Sequence, residues 1–127
     1  MKSTELEEKL KQITIEDYIW VVYLLIIFLS WYSNSLERKY YIYKDSSSKE
    51  KYRRILIFIF SVLLIVYLYF LKSSINDLNN LKETDSKKKK ELITLSFIAS
   101  FLIAISGIIY LYIALNDNDL TVELAFN

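Results

Sequence analysis

The chain contains no cysteine, no histidine, no proline and one glycine, Gly107. Each absence closes a class of chemistry. Without cysteine there is no disulfide, zinc thiolate or thiol nucleophile. Without histidine the commonest general base and metal ligand are gone. With proline absent and glycine nearly so, helices should run without breaks. Charge is missing as well, but only in places. Tyr18 to Leu36, Ile55 to Leu71 and Leu92 to Leu115 hold no Asp, Glu, Lys or Arg, although 24% of the whole chain is charged.

That segregation is the strongest signal present. A soluble amphipathic helix interleaves charge with apolar positions. Here charge is confined to the connections and ends. A hydrocarbon layer roughly 30 Å thick needs about 20 helical residues at about 1.5 Å each. The spacing therefore predicts an all-α integral membrane protein: three transmembrane helices over residues 18–36, 55–71 and 92–115, in an up-down-up bundle with helical extensions beyond the bilayer. The chain has 127 residues, enough for one domain, and the spans use about half of it. The first span reads as retained rather than as a signal peptide. Five acidic residues precede it, and Trp31 and Tyr32 stand where a small-residue cleavage site would be.

Residues 1–17 read either as a short amphipathic surface helix or as a frayed terminus. Thr4 and Glu7 have capping-box spacing, and Leu6, Leu10 and Ile13 share one face. Thr14 is the expected cap of the first span, with Glu16 and Asp17 in its first turn. Tyr18, Trp20 and Tyr23 near one end, and Trp31 and Tyr32 near the other, are expected at the headgroup level. Asp45-Ser46-Ser47-Ser48 signals a turn. Ser47 and Glu50 form a second capping box, which predicts a helix start near Lys49. The second helix should continue past Leu71, because Ile75, Leu78 and Leu81 recur among polar residues. Thr84-Asp85-Ser86 is the next turn. Lys87, Lys88, Lys89 and Lys90 then flank the third span, where lysines anchor a helix and attract anionic headgroups rather than nucleic acid.

Ser96, Ser100, Ala104 and Gly107 make a ladder of small residues on the third span. Such a ladder admits a close helix neighbour, so this helix is the expected centre of packing, either within the chain or in a homo-oligomer. Residues 116–127 form an acidic tail. Leu120, Val122, Leu124 and Phe126 alternate with smaller or polar residues, a strand-like pattern that suits a partner's sheet edge, the other reading being a loose, disordered terminus. Together with Ile75, Leu78 and Leu81 they are the expected partner-binding positions. Asp117 and Asp119 lack the loop glycine and downstream glutamate of a calcium site.

No ionisable residue lies at membrane depth to serve transport or to activate a span serine. No catalytic, cofactor-binding or metal-binding residue is assigned, and the chain is not expected to be an enzyme. What remains is a non-catalytic accessory or regulatory subunit of a larger membrane protein. The alternatives are a holin-like permeabilising oligomer and an immunity protein against a membrane-active toxin. A holin typically ends in a basic tail, and this tail has no Lys or Arg.

The stretch Trp31-Tyr32-Ser33-Asn34-Ser35-Leu36-Glu37-Arg38-Lys39-Tyr40, after a span opening Asp17-Tyr18-Ile19-Trp20, resembles small uncharacterised multi-pass proteins of AT-rich Gram-positive bacteria. The resemblance implies a bacterial source, and with it a bacterial cytoplasmic membrane, and adds no mechanism. Three spans put the termini on opposite sides. Nine basic residues then lie with the amino terminus and seven with the carboxyl terminus, which predicts an amino terminus inside and a carboxyl terminus outside.

Overall fold

The computed structural model describes residues 2–123. Helix α1 spans Ser3–Tyr43, α2 Ser46–Asn79 and α3 Lys87–Asn116, with no strand among the described residues. Their 41, 34 and 30 residues correspond to about 61, 51 and 45 Å. All three are long and apolar enough to cross a membrane. All three also outrun a hydrocarbon layer of roughly 30 Å, so each carries a helical overhang. The protein is a three-helix membrane bundle.

The amino-terminal segment is not a separate surface helix. It is the first part of α1, which runs through Thr14 without a break. The Thr14 hydroxyl donates back to the Leu10 carbonyl, 3.0 Å away, as in a helix interior. No proline or glycine interrupts this stretch, so a good capping residue has no helix end to cap. At the true start, Lys2 is the cap residue and no side chain caps it, so Thr4 and Glu7 form no capping box. The chain leaves α1 through Lys44, which adopts the left-handed conformation (φ 55°) and donates its N–H to the Tyr40 carbonyl.

One aspartate organises each connection. Asp45, not Ser47, caps α2, so the helix begins at Ser46. Its carboxylate accepts the Ser47 N–H at 3.1 Å and the Ser48 hydroxyl at 2.8 Å. Asp85 accepts the Lys82 N–H at 2.8 Å and the Lys89 ammonium at 3.1 Å. Asp117 accepts the N–H groups of Thr121 and Val122, each at 2.9 Å. Hydrogen bonds to the charged form hold all three carboxyls below the ordinary carboxylate range. The largest cause is the Ser48 hydroxyl for Asp45, the Lys82 amide for Asp85 and the Val122 amide for Asp117. Ser86 caps α3 by accepting the Lys89 N–H at 3.1 Å.

The centre of packing is α2, not α3. Both other helices pack against α2, and no Cα of α1 comes within 8 Å of a Cα of α3. Eight residues of α2 are buried, from Ser48 to Ser74, against four on α1 and three on α3. The buried positions of α1 explain its seam, since Ile19, Ile26 and Ser33 are seven apart and keep one stripe on α2. The main core lies toward the α1 carboxyl end. There Leu36, Tyr52, Leu56, Ile59, Phe60, Leu63 and Ala114 meet, and the ring of Phe60 stacks on Tyr110 at 5.5 Å.

The turn after α3 closes this end of the bundle. Arg53 donates from Nε to the Asp117 carbonyl at 3.2 Å and from Nη2 to the Leu115 carbonyl at 3.5 Å. A cation is thus placed on the carbonyl end of α3, where the helix dipole favours it. Lys49 reaches Asp119 at 3.7 Å and lies 5.2 Å from the centre of the Tyr40 ring.

Candidate functional site

The opposite end of the bundle opens into a cleft of about 340 Å³ between the three helices. Gln12 and Tyr23 line it from α1. Tyr67, Phe70, Ser73, Ser74 and Asp77 line it from α2, and Ser96, Ser100 and Ile103 from α3. The cleft exists because α1 and α3 never approach each other, so α2 alone forms its floor. On that floor the buried Ser74 hydroxyl donates to the Phe70 carbonyl at 3.0 Å. It therefore accepts from Ser100, whose oxygen is 2.8 Å away. This pair ties α2 to α3 with every hydroxyl proton placed. Two other span serines also bond within their own helix: Ser33 donates to the Ser30 carbonyl and Ser61 to that of Ile57, each at 2.7 Å.

A second hollow of about 270 Å³, lined by Glu16, Ile19, Trp20, Tyr23 and Phe70, adjoins the cleft across Tyr23 and Phe70. Gln12 donates to the Glu16 carboxylate at 3.3 Å and so orients it. A third hollow lies across Gln12 and Ser73. Glu8, Lys11, Ile15, Tyr69, Lys72 and Asn76 complete its lining. Lysines border only this third hollow.

The small-residue ladder divides. Gly107 and Ala104 are buried and Ser100 is half-buried, all against α2, whereas Ser96 is exposed at the cleft mouth. A Cβ on Gly107 would lie 2.9 Å from Cδ2 of Tyr67 and 3.3 Å from Cδ1 of Leu64. The ladder's close neighbour is thus α2 of the same chain, and this face is not left over for a second copy.

The interface aromatics Tyr18, Trp20, Trp31 and Tyr32 project outward from the bundle; Trp31 is 72% exposed. Tyr23 does not project with them but is half-buried in the cleft wall. Of the four lysines, two turn back onto the preceding loop. Lys89 pairs with Asp85 at 3.1 Å, and Lys90 donates to the Glu83 carbonyl at 3.1 Å. Lys87 and Lys88 are exposed.

The proposed partner positions also separate. Ile75 is exposed, while Leu78 and Leu81 are half-buried. Leu120 packs on the core beside Tyr52, Leu56, Ile113 and Ala114, and takes the left-handed conformation (φ 53°). It is therefore neither a strand residue nor a free one. Asp117 takes the Thr121 and Val122 amides that a strand would offer to a neighbour. Val122 stays exposed, and Leu124 and Phe126 lie outside the described residues.

The hollows escape a reading along the chain. Their residues are 44 or more positions apart between α1 and α2, and 73 or more between α1 and α3, and no periodicity links them. The one local hint is Ser73-Ser74 directly after Lys72, a polar pair just past the apolar run 55–71. No family model matches the chain, and neither a curated protein nor a solved structure is similar to it.

Proposed function

We propose that this protein is a non-catalytic accessory subunit of a larger membrane protein. We place it in a bacterial cytoplasmic membrane, with its amino terminus inside. The observation that supports this reading is the overhang of α1. Leu6, Leu10 and Ile13 lie on one face of a helix continuous with the span, and they are 47%, 53% and 43% exposed. Glu5, Glu7, Glu8, Lys9 and Lys11 surround them, which keeps this stretch out of the hydrocarbon. A rigid continuation of the span cannot lie flat among the headgroups. It presents its stripe sideways, where an apolar surface on a neighbouring protein covers it. Ile75 adds an exposed apolar side chain on the α2 overhang.

Expression of the chain alone in a bacterial host tests this against the pore-forming alternative. Membrane potential should stay intact throughout induction, because the exposed positions on the spans are overwhelmingly apolar and suit lipid rather than water. Purification in mild detergent should recover one larger membrane protein. Leu6→Ser with Leu10→Ser should lower that recovery by more than about tenfold, since a buried leucine contributes roughly 1.5–3 kcal/mol. Ile75→Ser should lower it less. A timed collapse of the potential, or undiminished recovery with the double variant, contradicts the proposal.

A further inference from the structure

The two adjoining hollows share a chemical character. Trp20, Tyr23, Tyr67 and Phe70 supply aromatic walls, and Asp77 and Glu16 supply one carboxylate to each hollow. Neither lining contains a Lys or Arg. Lys11 and Lys72 face the separate third hollow. The Ser74–Ser100 pair leaves the floor neutral and hydrogen-bonded. The combined space is ample for a small molecule. It is open on one side, because α1 and α3 stand apart.

The charge balance selects the ligand. Two carboxylates beside aromatic walls, with no basic side chain among the lining residues, attract a cation and repel an anion. Aromatic rings add to the attraction for a weakly hydrated cation. A small metal ion would find too few oxygen ligands and too much apolar wall. A neutral amphiphile would gain nothing from the carboxylates. We propose that this cleft binds a lipophilic organic cation, an ammonium or phosphonium centre on an apolar body. The charged centre lies beside the Asp77 or the Glu16 carboxylate, one in each hollow, and the body lies against Tyr23, Tyr67 and Phe70. Such a cation has two natural sources, an amine-headed lipid and a free amphipathic amine.

The test uses the full chain in an uncharged maltoside detergent, with Trp31→Phe so that Trp20 is the sole tryptophan reporter. Tetraphenylphosphonium is titrated against tetraphenylborate, which has the same shape and the opposite charge. The cation should bind saturably, one per chain, and the anion about tenfold more weakly or not at all. Asp77→Asn should weaken cation binding about tenfold, and Glu16→Gln several-fold. Glu37→Gln, at the other end of the bundle, should leave it unchanged. Ser96→Phe keeps both carboxylates but fills the cleft mouth, and it should abolish binding. Circular dichroism melts confirm that each variant is folded; the substituted side chains are all at least partly exposed. Displacement of the probe by short-chain phosphatidylethanolamine identifies a lipid source, and displacement only by a free amphipathic amine identifies the other. Equal affinity for cation and anion, absence of saturable cation binding, or full affinity in the Asp77→Asn, Glu16→Gln double variant overturns the proposal.

Discussion

Gly107→Leu should push α3 away from α2 and destabilise the bundle by about 3 kcal/mol or more, the upper range for overpacking. The first added carbon alone would sit 2.9 Å from the Tyr67 ring and 3.3 Å from Leu64. Leucine adds three further carbons in the same direction. Gly107→Ala should cost much less. Its better helix propensity, about 1 kcal/mol, offsets part of the contact with the ring edge. Ala104→Leu, on the same buried face, should behave like Gly107→Leu. Ile103→Leu, on a face 48% exposed, should stay within about 0.5 kcal/mol. Reversible unfolding in detergent checks the series. Equal tolerance of Leu at positions 103 and 107 would refute the packing described for α3.

Phe60→Ala should be the most damaging truncation, at about 3 kcal/mol, the low end of the range for Phe→Ala in soluble cores. The low end applies because lipid is as apolar as the site the ring leaves, so packing is lost without much transfer energy. Phe60 is 1% exposed and stacks on Tyr110 of α3 at 5.5 Å. Phe58 lies two residues earlier on the same helix and is 55% exposed. Phe58→Ala should change stability by less than about 0.5 kcal/mol. The pair isolates burial from residue type in one unfolding measurement. Similar losses at both positions would mean that α2 is not the central helix.

The spans were legible because charge is costly in hydrocarbon, and its absence over three stretches leaves one economical reading. The continuation of α2 past Leu71 was legible from Ile75, Leu78 and Leu81. The central helix was not legible. Small residues at Ser100, Ala104 and Gly107 mark the receiving surface of a contact, whereas the volume that fills it comes from Tyr67 and Leu64 on α2. Capping signals misled where two competed or where no end existed. Asp45 prevails over Ser47 because a carboxylate placed one residue before the helix accepts two donors at once. Thr14 caps nothing, because the helix never stops there. The tail's alternation was real but subordinate to Asp117, which captures the Thr121 and Val122 amides before a strand can use them. The cleft was invisible because its walls come from three helices and meet only in space.

The absence of native cysteine allows the most direct test of the three-span bundle. Single cysteines are placed at Ser3, Ser46, Lys82 and Asn118, all outside the charge-free stretches. Each is exposed to a membrane-impermeant maleimide from one side of intact cells. Ser3 and Lys82 should share one accessibility, and Ser46 and Asn118 the opposite one, with Ser3 and Lys82 inside if the proposed orientation holds. Labelling of all four positions from a single side, or of Ser3 and Asn118 from the same side only, would contradict the three-span bundle.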